Sequence, residues 1–210
     1  MKAFWASSSN KCQWQQIFCD HVKLGINSGK WPNAIYMGAD GEISISVKNG
    51  NIEEASDLVS DLEEADECLF VHVKHALITS GVQRILLASS DTDAFVCSIY
   101  HYYKHFKTDG LIKLWVLCGK GSTTRAVPVH KLVEVLSDRV IHILPAVHAL
   151  TGCDTTSKFS TKHSGLVQAK LEPDLLEVFG KQQMTEAQLL DAEIFLMHCL
   201  SPKFSSIDAL

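Results

Sequence analysis

The sequence predicts an α/β domain with a mainly parallel sheet between helices, and three patterns carry that expectation. An apolar run of strand length, Ile85-Leu86-Leu87-Ala88, is followed by helical periodicity over 94–106 through Phe95, Ile99, Tyr102, Tyr103 and Phe106. A second apolar run, Leu114-Trp115-Val116-Leu117, comes after Asp109-Gly110. Strand, helix and strand at this spacing form a βαβ unit with a right-handed crossover. A strand that is apolar on both faces belongs inside a covered parallel sheet.

The remaining elements follow in chain order. Residues 10–26 space Cys12, Trp14, Ile17, Phe18, His21, Val22 and Leu24 as one face of a helix, which Asn27-Ser28-Gly29 ends. Ala34-Ile35-Tyr36-Met37 and the alternating segment Glu42–Val47, separated by Asp40-Gly41, read as an edge hairpin. Residues 48–61 are polar and acidic and read as a surface connection. From Glu63, the residues Ala65, Cys68, Leu69, His72, Val73, Ala76 and Leu77 line one helical face, and Gly81 stops it. Further helices are expected at about 128–136, 139–151 and 185–200, by the same 3.6-residue periodicity. Residues 1–157 are expected to form the α/β domain and 158–210 a helical C-terminal extension packed on it.

Composition is ordinary for a folded chain: 210 residues, 46% hydrophobic, 20% charged and a formal charge of −5. No apolar stretch approaches the roughly 20 residues that span a bilayer. The start, Met1-Lys2-Ala3-Phe4-Trp5, is no signal sequence. The seven cysteines contain no Cys-x-x-Cys pair, so neither a disulfide framework nor a zinc knuckle is indicated. Cys68, Cys97, Cys118 and Cys199 lie in apolar runs and read as core side chains. These features point to the nucleus or cytoplasm. The acidic balance gives no basic footprint for nucleic acid, although bound divalent cations reverse such a field locally.

The carboxylates carry the chemistry. Asp91 and Asp93, in Ser89-Ser90-Asp91-Thr92-Asp93, directly follow an apolar strand, and ligands of open α/β sheets bind beyond strand carboxyl ends. Glu63, Glu64 and Asp66 open the preceding helix, which must run antiparallel to that strand and so begins at the same edge. Asp154 follows Leu150-Thr151-Gly152-Cys153, where glycine permits a sharp turn. Two carboxylates about 4 Å apart repel by roughly 4 kcal/mol at an effective dielectric near 20. A gathering of them takes up protons or binds a divalent ion, and oxygen donors favour Mg2+ or Mn2+ over zinc. The plainer reading stands beside this: acids at helix starts are commonly caps or partners of the helix dipole.

Three motifs in this order resemble the flap endonuclease (XPG-type) branch of the PIN-like nucleases. Glu64-Ala65-Asp66 is similar to the family's Glu-Ala-Glu, Ser90-Asp91-Thr92-Asp93 to its Asp-x-Asp, and Gly152-Cys153-Asp154 to its Gly-Cys/Ser-Asp. More closely, Glu63-Glu64-Ala65-Asp66, Ser90-Asp91-Thr92-Asp93 and His148-Ala149-Leu150-Thr151-Gly152-Cys153-Asp154-Thr155-Thr156-Ser157 resemble a multicopy, mobile-element-associated animal group. The resemblance implies a three-layer, Rossmann-like (PIN-like) domain that hydrolyses nucleic-acid phosphodiesters with two Mg2+ or Mn2+ ions. DNA is favoured over RNA. It implies Glu64, Asp66, Asp91, Asp93 and Asp154 as metal ligands, with Asp91, Asp93 and Glu64 central to catalysis. The family's upstream aspartates have no counterpart here, since Asp20 and Asp40 do not follow buried first strands; the chain would begin downstream of them. On this reading Asp91→Ala abolishes cleavage and leaves the fold intact or more stable, a repelling charge being gone.

Other candidates are weaker. Lys120, in Cys118-Gly119-Lys120-Gly121-Ser122, lacks the spacing of a phosphate loop and reads as part of a mobile loop. Lys120 and Arg125, with Lys158 and Lys162 downstream of Asp154, are candidate phosphate contacts. His72/His75 and His101/His105 have helical spacing but no third zinc ligand. His148 stands close enough to the Gly-Cys-Asp motif to support the site. Two rivals remain: an Asp-nucleophile phosphatase using Asp91, and an inactive PIN-like interaction module.

Overall fold

The computed structural model describes residues 7–30, 35–37, 45–48, 51–59, 65–119, 121–153, 160–177, 179 and 184–200. The fold is mixed α/β and mostly helical, and the chain divides into two compact units, Met1–Ser80 and Gly81–Leu210. Among the described residues no helix is long and apolar enough to cross a membrane.

The first unit opens with helix α1 (Ser8–Asn27), where the Ser7 hydroxyl accepts a hydrogen bond from the Asn10 amide. Gly29, at φ 70°, follows its end in the left-handed conformation that glycine tolerates. Val22 and Ile26, one turn apart, are buried, whereas Trp14, Ile17 and Phe18 on the expected face are exposed. The hairpin is present: β1 (Ile35–Met37) pairs antiparallel with β2 (Ile45–Lys48), Tyr36 opposite Ser46. Its expected turn at Asp40-Gly41 lies outside the described residues.

Residues 51–59 of the expected surface connection over 48–61 are instead structured. Strand β3 (Asn51–Glu54) extends the sheet, with Lys48 opposite Asn51, and a 3-10 turn (Ser56–Leu58) buries Ala55 and Leu58. Asn49-Gly50 is a strong hairpin dipeptide; the exposed acids Glu53 and Glu54 hid the strand behind a polar composition. Helix α2 (Ala65–Ser80) buries Phe70, Val73, His75 and Leu77. His75 Nδ1 meets the Asp57 carboxylate, tying the 3-10 turn to α2.

The second unit contains the expected βαβ arrangement. Strand β4 (Arg84–Ala88) runs parallel to β5 (Lys113–Cys118), with Leu86 opposite Trp115. Between them lies helix α3 (Thr92–His101), which continues into a π-helical turn (Tyr102–Phe106). Strand β6 (Arg125–Pro128) pairs antiparallel on the far side of β5, giving the order β4-β5-β6. The sheet is therefore mixed, where a mainly parallel one was expected. A Pro-terminated segment that reads as loop suits an edge strand, because an edge needs no amide donor there. The described part of the glycine-rich loop before it is a 3-10 turn, Gly121–Thr123. Leu114 and Val116 of central β5 are fully buried, while Leu86 of β4 is 56% exposed. A short apolar run does not tell a central strand from an edge strand, so β5 occupies the position expected of β4.

Helices α4 (Val129–Val135) and α5 (Asp138–Leu150) follow, the latter capped by Ser137, whose hydroxyl accepts from the Val140 amide. Helix α6 (Lys162–Leu171), a 3-10 turn (Pro173–Leu176) and helix α7 (Glu186–Leu200) complete the unit. Ile143 and Val147 of α5 pack with Ala169, Leu176, Ala192 and Phe195 into one core. The boundary expected near 157 lies outside the described residues; within this unit α6 and α7 pack with α5 and the 3-10 turn.

Candidate functional site

The candidate site grows from the end of β4. At Asp91 the backbone is still extended (φ −79°, ψ 141°), and its side chain caps α3 by accepting from the Asp93 amide at 2.9 Å. The Asp91 amide donates to Ser89 Oγ at 3.1 Å, which fixes the turn between strand and helix. Asp93 stands in the first helical turn, where the exposed amides of a helix start favour negative charge.

The opposite wall comes from α5. Its buried stripe runs Val140, Ile141, Leu144, Val147 and then His148, which is 9% exposed. His148 Nε2 donates to Asp93 Oδ1 at 2.7 Å, joining residues 55 positions apart. Lys162, at the start of α6, places Nζ 3.1 Å from His148 Nδ1. A lysine ammonium only donates, so Nδ1 accepts and the imidazole proton of this arrangement resides on Nε2. Carboxylate, imidazole and ammonium thus stand in a row contributed by three helices.

Local packing fixes that row. The buried Thr151 hydroxyl donates to the Val147 carbonyl at 2.7 Å, and Gly152 turns the chain at φ 98°. A β-carbon on Gly165 would meet Thr151 Cγ2 at 2.4 Å and Val147 Cγ1 at 3.1 Å. Only a glycine lets α6 approach α5 this closely, and that approach sets Lys162 beside His148.

Of the expected ligands, Asp91 and Asp93 come together in the second unit. Asp66 lies in the first turn of α2, in the first unit. Glu64 and Asp154 lie outside the described residues, as do Lys120 and Lys158. Arg125 opens β6 as an exposed side chain opposite Cys118. Lys162 bonds to His148, a role its reading as a phosphate contact did not include. Among the described residues no three His, Cys, Asp or Glu side chains are grouped to hold a metal ion.

No family model, curated protein or solved structure matches the chain. Function is therefore read from the geometry itself. The His148 bond was legible in principle, because a titratable side chain on the apolar stripe of α5 needs a buried partner. One expectation changes: Asp91 is a helix cap, so Asp91→Ala removes a stabilising bond as well as a charge, and the fold does not gain from it.

Proposed function

We propose that this chain is a divalent-metal-dependent nuclease of the three-layer PIN-like kind, with Asp91 and Asp93 as metal ligands. The observation that carries the reading is the Asp93–His148 hydrogen bond. It joins the segment leading into Gly152-Cys153-Asp154 to the aspartates after β4, two motifs far apart in the chain.

The donor chemistry suits the ion. Asp91 and Asp93 each engage Oδ1 in the bonds described, which leaves Oδ2 of each outside them. Carboxylate oxygens suit Mg2+ or Mn2+, and ligating carboxylates characteristically carry a hydrogen-bonded outer partner such as His148. Bound ions of this kind supply an activated water and stabilise the departing oxygen of a phosphodiester. Within the protein, Asp91 holds the strand-to-helix turn, His148 orients Asp93, and Lys162 holds the imidazole ring by its other nitrogen.

The cap bond of Asp91 favours a second reading, in which the acids are structural and the module serves only as an interaction surface. No observation in this geometry favours an Asp-nucleophile phosphatase over these two readings. Cleavage of labelled single-stranded and duplex DNA in MnCl2 separates the nuclease from the scaffold. The proposal expects chelator-sensitive cleavage that falls to background in Asp93→Asn. Equal cleavage by that variant, or none by the natural chain, would overturn it.

A further inference from the structure

A second feature of the Gly81–Leu210 unit lies at the other end of the α3–α5 pair. Tyr100 lies in the last turn of α3, and the π-helical turn carries Tyr103 and Lys104, with Lys107 just beyond it. Arg139 and His142 face them from the first turns of α5. Two adjoining hollows share Lys104 and His142: a cleft of about 470 Å3 reaching Tyr100 and Arg139, and an open depression of about 600 Å3 reaching Tyr103 and Lys107. Short π-helical segments inside helices often mark functional sites, because the extra residue changes which side chains share a face.

Lys104, Lys107 and Arg139 supply the cations of this groove. His142 Nδ1 donates to the Asp138 carbonyl at 2.9 Å, so its Nε2 accepts from Lys104 Nζ at 3.4 Å. Among the described residues no carboxylate lines the open depression. The nearby Asp138 carboxylate is engaged by the Tyr103 hydroxyl, which raises the tyrosine pKa. In the deeper cleft Arg139 pairs with Asp174 at 3.0 Å, both side chains about two-thirds exposed. Exposed pairs of that sort are worth little and re-partner readily; Glu177 also lines that cleft. The Tyr103 ring stands edge-on to His142 at 5.4 Å between centroids, so its orientation is set beside the cations.

We infer that the groove formed by Tyr100, Tyr103, Lys104, Lys107, Arg139 and His142 binds single-stranded nucleic acid, with phosphates on the three cations and a base against a tyrosine. Cations interleaved with aromatic rings in an open trough are what a strand with exposed bases requires. Choosing nucleic acid among polyanions rests on the nuclease reading, whereas the groove uses neither Asp91 nor Asp93. Lys104 lies eleven residues beyond Asp93, roughly 16 Å at the helical rise per residue. A strand held there would extend a few nucleotides from the candidate centre.

Fluorescence anisotropy with a labelled oligothymidylate of about 15 nucleotides, in EDTA, tests the inference apart from any metal chemistry. Three phosphate contacts predict a slope of about −2 for log affinity against log salt, at roughly 0.7 per contact on a single strand. The exposed double variant Lys104→Gln/Lys107→Gln should lose at least about 10-fold in affinity and about 1.4 of that slope. Absence of binding, binding indifferent to the lysine pair, or equal preference for a duplex of the same length would overturn the inference. Lysine-dependent binding without Mn2+-dependent cleavage would sink the nuclease reading alone. Cleavage without lysine-dependent binding would sink the groove alone.

Discussion

Asp91 holds two roles that substitution can separate. Its carboxylate caps α3, and it is also a candidate metal ligand. Asparagine caps about as well as aspartate, whereas alanine cannot accept the Asp93 amide. Asp91→Ala should therefore cost about 1 kcal/mol in urea unfolding, and Asp91→Asn should cost little while removing the charge that a metal needs. Equal stability of the two variants would mean that the cap bond contributes nothing. At this scale the sequence was informative about Asp91 and Asp93, because acids directly after an apolar strand are placed by the chain itself. It was silent on the bond from Lys162 to His148, which depends on how closely two helices cross.

That crossing belongs to the scale of elements. The contact between α5 and α6 is set by Gly165 against Thr151 and Val147, and neither periodicity nor composition reveals which glycine serves a close approach. Gly165→Ala would press a methyl group into the Thr151 side chain, whose hydroxyl is already committed to the helix backbone. Overpacking of this kind costs about 1–3 kcal/mol. The variant should unfold at lower urea concentration, against the gain that alanine ordinarily brings inside a helix. A stabilised variant would mean that α6 does not approach α5 as described. Helices with strong periodicity, such as α3 and α5, were legible because an apolar stripe of 3.6-residue period suits a helix and clashes with the two-residue period of a strand. Strands β3 and β6 were not, since Glu53, Glu54 and Pro128 disguise segments whose pairing is decided by neighbours.

Across the whole molecule, half-buried histidines link folding to pH. Burial, with repulsion from His75 and His105 respectively, holds His72 and His101 below the ordinary value of 6.5. The unfolded chain therefore takes up protons at a higher pH than the folded one, so the slope of stability with pH is positive in that window. Urea midpoints should be unchanged by these groups above pH 7. They should fall as pH drops through 6.5 towards the lowered values, and a midpoint that rises on mild acidification would contradict the partial burial of both rings. Burial likewise pushes the Cys199 thiol up to about 11, which keeps it in the uncharged form expected of a core side chain. The general α/β character was readable from one βαβ unit. The division at Ser80 and the mixed sheet were not, because both depend on which surfaces meet after folding.

The nuclease reading depends most on whether the acids after β4 bind a divalent ion. Isothermal titration calorimetry of the full chain with MnCl2 tests this directly, compared with Asp93→Asn under the same conditions. Saturable binding of about two ions is predicted, weakened strongly in the variant while its circular dichroism is unchanged. No heat of binding in the natural chain, or identical isotherms for the two proteins, would contradict it.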